Sequence, residues 1–239
     1  MKRIAICVIL LIATAVAYSQ EPASFMKEAE RLDFSKVWMV DSLLSDDGHS
    51  FKRTEPLGFI GSDYQRFLIH FASVVKRNRL SYEYVIRGKT RVKANICEFQ
   101  GSIIIKEATL RTNQDFPEVK LGSIRGEYTF NEDRKAPGSG FFKGKFILDW
   151  YFSTDNTLRY DALYSGTDGF SNNEFIGSWT SYRTKKTKPC NWGDYRIPES
   201  GDLDIGAGEF GVNPVYESHG WQDYHSTWET SPDAAKWWE

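Results

Sequence analysis

The sequence predicts an all-β protein: an antiparallel up-and-down barrel of about eight to ten strands with one short N-terminal helix, a β-sandwich being the alternative. Three observations carry that expectation. Apolar and polar residues alternate at a period of two through much of residues 36–185, which sends successive side chains to opposite faces of a strand. Turn-forming clusters break the stretch repeatedly, as at Asn131-Glu132-Asp133-Arg134, Pro137-Gly138-Ser139-Gly140 and Ser153-Thr154-Asp155-Asn156. Aromatic residues reach 15%, and such side chains suit a pleated, half-buried surface.

Residues 1–19 read as a signal peptide. Lys2 and Arg3 form a basic start, Ile4 to Val16 is an apolar run too short to span a bilayer, and Ala17-Tyr18-Ser19 places small residues for cleavage before Gln20. The chain is therefore expected to be exported, to a periplasmic or extracellular location, with no later membrane span. Residues 20–35 form a helical lead-in, with Pro22 suited to a first turn and Phe25, Met26, Ala29 and Leu32 on one face.

The barrel domain is expected over 36–200. It begins with Val37-Trp38-Met39-Val40 as a strand and the turn Ser45-Asp46-Asp47-Gly48. Tyr64 to Val75 is a long strand. Next, Tyr82, Tyr84, Ile86, Thr90, Val92 and Ile96 hold the inward parity, and Arg87, Lys89, Arg91 and Lys93 the outward one. Ile103–Ile105, Ile124–Phe130, Phe141–Phe152, Leu158–Tyr164 and Phe175–Tyr182 continue the series. An apolar residue, any residue and then glycine recurs at Phe59-Ile60-Gly61, Phe99-Gln100-Gly101, Ile124-Arg125-Gly126, Phe142-Lys143-Gly144 and Phe175-Ile176-Gly177. Glycine inside a strand marks a bend or a close backbone approach, as a coiled, closing sheet requires. Residues 201–239 form a Gly-rich loop and an aromatic tail.

The meander of strands and Gly177-Ser178-Trp179 together resemble the lipocalin/avidin (calycin-type) barrel at the level of architecture, over roughly residues 36–185. The resemblance implies a ligand cup in an exported protein. Asn191-Trp192-Gly193-Asp194-Tyr195-Arg196-Ile197-Pro198 and the Gly-rich run from Ser200 to Phe210 resemble a signature of uncharacterised exported bacterial proteins, which lends no catalytic residues.

A net charge of −2 argues against a general nucleic-acid binder, which needs a cationic excess to displace counterions from phosphates. Cleavage leaves Cys97 and Cys190, expected to form one disulfide in an oxidising compartment, two unpaired core thiols being the other reading. No cofactor is implied, and no metal site of the usual four-ligand type. Asp202, Asp204 and Glu209 sit in a Gly-rich loop, but an EF-hand pattern is missing and backbone capping is the better reading. The basic stripe from Arg87 to Lys93 is a solvated face unless its strand borders a pocket, where it would suit an anionic lipid head group or acidic glycan. Of the tail tryptophans, Trp221 and Trp228 are expected to pack back on the barrel, with Trp237 and Trp238 left open.

Catalytic motifs are absent from the sequence. The leading expectation is a non-enzymatic binding protein for a small apolar or sugar-like ligand, with Trp150, Trp179 and Trp192 as ligand-contacting rings and Arg196 as polar anchor. An envelope or surface interaction protein acting through the tail is the second expectation. A hydrolase drawing acids from separate strands, with Asp149, Asp161, Asp194 and Glu209 available, is the third.

Overall fold

The computed structural model describes residues 23–224 and 236–239. The expected signal peptide, Pro22, His225 and Trp228 lie outside them. The described residues hold twelve strands in chain order: β1 (Ala23–Ser24), β2 (Ser42–Leu44), β3 (Ser50–Lys52), β4 (Leu57–Ile60), β5 (Gln65–Lys76), β6 (Glu83–Val92), β7 (Asn95–Thr112), β8 (Lys120–Glu132), β9 (Gly140–Phe152), β10 (Leu158–Tyr160), β11 (Asn172–Ser181) and β12 (Thr187–Asp194). From β4 to β9, and then through β11 and β12, each strand pairs antiparallel with the next. Strand β12 returns to β4 through Cys190↔Ile60 and Trp192↔Gly58. The sheet therefore closes into a ring, which pairs the two strands that would otherwise be its edges. Strands β1 and β10 add to β7 and β9, while β2 and β3 form a separate hairpin.

The inward parity expected for Tyr84, Ile86 and Thr90 is found: all three are buried. Ile96 is instead exposed, because the hairpin turn at Lys93-Ala94 precedes it and resets the alternation. Lys93 itself sits in that turn with φ of 56°.

Glycines and aromatics share the interior by pairing across strands. Gly58 faces Trp192, Gly88 faces Phe99, and Gly101 faces Phe130; Gly122, Gly126 and Gly144 face Trp150, Phe146 and Tyr128. A Cβ on Gly101 would lie 2.0 Å from the Thr129 carbonyl oxygen, and one on Gly126 2.0 Å from that of Ile104. Only hydrogen fits where the wall coils so tightly, and the opposite ring folds over the bare backbone, as aromatic side chains do beside strand glycines. One arrangement thus accounts for the recurrent Gly101, Gly126 and Gly144 and for much of the aromatic content.

Residues 23–56 plug one end of the ring. Two single-turn helices, α1 (Met26–Ala29) and α2 (Ser35–Trp38), replace the one helix and the Val37–Val40 strand that periodicity suggested. The Phe34 carbonyl accepts from Val37 N–H and Trp38 N–H, and both side chains are buried in the barrel end. Burial of a large ring here outweighs local β propensity, which is worth only about 1 kcal/mol. Phe25 and Phe34 pack on Trp150, each at 5.5 Å between ring centroids, and Trp38 packs on Tyr84 at 5.2 Å.

Candidate functional site

The four residues marked by the sequence do not meet at one place. Trp192 lies in the middle of the interior, stacked on Phe175 at 4.8 Å and touching Tyr128 at 5.1 Å and Phe67 at 5.7 Å. Trp150 is equally enclosed, under the N-terminal plug. Trp179 stands at the other barrel end. Its Nε1–H donates to the Glu132 carboxylate at 3.0 Å, which also accepts from Thr90 Oγ1 at 2.6 Å and Gly140 N–H at 2.7 Å. Burial pushes the Glu132 carboxyl above its usual range despite these three donors.

Arg196 lies outside the barrel. Its Nη1 donates to Asp204 at 2.7 Å, and its Nη2 approaches the carbonyls of Gly206, Ala207, Gly208 and Glu209 at 2.9–3.1 Å. The Gly-rich loop thus encloses a cation, but the cation is the chain's own guanidinium. The other Asp204 oxygen accepts from Gly206 and Gly211 N–H, both at 3.0 Å, which is the capping role expected of these acids. Trp221 is buried against Leu57, Phe59, Ile197, Leu203 and Phe210, as expected of a tail ring that packs back on the barrel.

The expected disulfide is not formed: Cys97 and Cys190 are free and buried. They lie on β7 and β12, and going round the ring either way three strands separate those two. Neighbouring strands are about 4.8 Å apart, so opposite walls exceed the roughly 7 Å between Cα atoms that a disulfide tolerates. Burial pushes the Cys97 thiol up to about 11 and that of Cys190 well above its ordinary value, the Glu132 carboxylate acting in the same direction.

The carboxylates considered for catalysis are also dispersed. Asp194 is enclosed with Arg53 at the plugged end, and Glu209 belongs to the Gly-rich loop. Asp149 and Asp161 do lie close together. Burial first, and the Asp149 charge second, push Asp161 up to about 6, against a backbone hydrogen bond from Leu163 N–H and the Arg111 charge. Its folded value is above the unfolded one, so the neutral form stabilises the fold at low pH. That contribution is lost as pH rises through about 6. Asp161→Asn should therefore gain stability relative to the parent between about pH 4 and pH 7, followed by urea denaturation at each pH. A difference that stays constant with pH would show that Asp161 ionises as easily folded as unfolded.

An open groove of about 1080 Å³ runs over the outer faces of β6, β7 and β8. Strand alternation places Gln100 and Ser102 of β7 and Thr129 and Asn131 of β8 along its floor. Arg87 and Lys89 stand on the β6 side, in register with Gln100 and Glu98. The far side is formed by Tyr182, with the Arg134 guanidinium 4.4 Å above its ring, and the Tyr182 hydroxyl donates to Asn131 Oδ1 at 3.3 Å. Beside Lys89, the Trp238 ring stacks on His70 at 4.2 Å with planes 10° apart. Lys89 Nζ donates to the Trp238 carbonyl at 2.7 Å, and His70 Nδ1 lies 3.2 Å from Glu55. Among the described residues, the Arg87 guanidinium and the Gln100 amide have no hydrogen-bond partner. The basic strand borders a pocket after all.

No family model matches this chain, and no curated protein or solved structure matches it. Among the described residues, no helix is long and apolar enough to cross a membrane. The signal that sequence reading held for the groove was the outward parity of Arg87 and Lys89. What it missed were Gln100, Thr129, Asn131, Arg134 and Tyr182, which reach the site only through strand pairing.

Proposed function

We propose that this is an exported, non-enzymatic binding protein that holds a sugar-like ligand in the outer groove of β6–β8. One contrast carries the reading. The barrel interior is taken up by stacked rings around Trp192, whereas the groove presents amides, hydroxyls and charged groups of both signs at its surface. Such groups match sugar hydroxyls, and a shaped cleft with a few convergent polar side chains is the usual form of a ligand site. Export is supported by the signal-like residues 1–19. The calycin-type resemblance enters here as architecture, with the ligand on the wall and rim rather than inside the cup.

Titration with a glycan panel, followed by calorimetry and by tryptophan fluorescence, tests the reading, since Trp238 borders the site. A bound glycan should be recovered intact. Gln100→Ala together with Asn131→Ala should weaken binding by about tenfold, the combined effect of two modest hydrogen bonds. A ligand whose affinity ignores both substitutions, or a glycan returned cleaved, would overturn it.

A second reading has its own observation: Trp238 is docked on His70 and Lys89, so residues 236–239 offer a detachable surface for a partner protein. Deleting residues 225–239 leaves the buried Trp221 in place. Loss of a partner with retention of glycan binding would favour this reading.

A further inference from the structure

We infer that the ligand of this groove is an acidic glycan, a sugar chain bearing carboxylates that pair with Arg87 and Arg134. The inference rests on the groove being a sugar site. It follows from which of its cations have no hydrogen-bond or ion-pair partner among the described residues. Arg77 is held by Glu83 at 2.8 Å, and Lys89 by the Trp238 carbonyl. On the acidic side, Asp133 caps the Lys135 N–H at 2.9 Å, and Glu132 is buried among its three donors. Glu98, opposite Lys89, and Asp133 itself remain as exposed acids, so the preference rests on the two guanidinium forks and not on a net positive groove.

That leaves Arg87 on one side of the floor and Arg134 on the other. Arg134 rests over the Tyr182 ring, its guanidinium carbon 4.4 Å from the centroid, which reduces the freedom it would lose on binding. Guanidinium groups present a planar fork that matches a carboxylate with two parallel hydrogen bonds. Between the two cations lie Gln100, Ser102, Thr129 and Asn131, suited to the hydroxyls of the same sugar chain. The volume of about 1080 Å³ is at the top of the roughly 300–1,000 Å³ usual for small-molecule clefts, room for more than one sugar ring. An anionic lipid is disfavoured because the groove lies open on the outer sheet face, with Ala72 and Val85 as its aliphatic side chains and no enclosed chamber for acyl chains.

Lys89 adds a reporter. Lys89 carries a full positive charge, so a carboxylate attracts it more strongly than the neutral Trp238 carbonyl does. Ligand reaching Lys89 should therefore draw it from the Trp238 carbonyl and change the fluorescence of the Trp238–His70 stack.

Calorimetry on the full mature chain with oligogalacturonate, with the same oligomer fully methyl-esterified, with a sulfated oligosaccharide and with phosphatidylglycerol vesicles decides the matter. The acid form should bind at least about tenfold more tightly than the ester, and the difference should shrink as salt is raised. Arg87→Gln and Arg134→Gln should each lower the affinity for the acid form about tenfold and leave the ester unaffected. Arg125→Gln, on the outer face of β8 away from the groove, should change neither; an equal loss there would overturn the site assignment. Equal binding of acid and ester would overturn the acidic preference while the sugar-site reading survives. Preference for the sulfated chain or for vesicles would overturn the carboxylate assignment. Failure of every glycan would overturn both readings.

Discussion

Asp194→Ala is expected to destabilise the fold by about 3–5 kcal/mol, the range for removing one partner of a buried ion pair. The measurement is a urea or thermal unfolding curve. Asp194 is fully buried at the plugged end of the barrel. One of its oxygens accepts from Arg53 Nε at 2.9 Å, Arg53 Nη2 at 2.7 Å and the Tyr160 hydroxyl at 2.8 Å; the other accepts from Asn173 at 3.3 Å. Burial opposes the Arg53 charge, but the Asp194 charge and hydrogen bond, together with Tyr160 and Glu55, outweigh it, so the guanidinium stays charged. Arg53 Nη1 also donates to the Trp38 carbonyl at 2.7 Å, which ties the N-terminal plug to β12. Alanine at 194 would leave that guanidinium enclosed without a counter-charge. Replacing both members with apolar side chains, as in Arg53→Met with Asp194→Leu, should recover much of the loss, because no unpaired charge remains. A cost below about 1 kcal/mol for the single change would mean the pair behaves as an exposed one and is not what holds the plug.

Trp192→Ala is expected to cost a comparable 3–5 kcal/mol, roughly, through the cavity it leaves. The ring is fully buried and is the common neighbour of Phe67, Tyr128, Phe130, Phe142 and Phe175. Those partners come from strands β5, β8, β9 and β11, so one substitution loosens contacts across the interior. The walls are fixed by the closed ladder and cannot collapse inward far enough to refill the space. Trp192→Phe keeps part of the volume and should cost markedly less. Unfolding midpoints of the two variants separate a packing effect, which scales with lost volume, from a loss specific to the indole. Equal costs would exclude the packing account.

Much of the barrel was legible because strand alternation is local. Tyr84, Ile86 and Thr90 face inward as their spacing required, and each recurrent glycine falls where the backbone makes a close turn or approach. Even Trp221 packed as its apolar bulk suggested. The misses have equally definite causes. Val37 and Trp38 look like strand residues, and the helix they form is selected by the open barrel end they fill. Strand β12 was not read as a strand at all, because Pro189, Asn191 and Gly193 dilute its alternation, yet it closes the ring.

By itself, then, the sequence determined the β class, the inward and outward faces of the strands and the positions where only glycine fits. These depend on neighbours one to a few residues apart. Tertiary structure alone decided that Cys97 and Cys190 sit on opposite walls of the ring, that Trp150 and Trp192 lie within the interior, and that Arg196 clamps its own loop. It also assembled the groove from Arg87, Gln100, Asn131, Arg134 and Tyr182. Contacts such as Cys190 with Ile60 join residues far apart in the chain. They are chosen by closure of the whole sheet, and no local pattern encodes that choice.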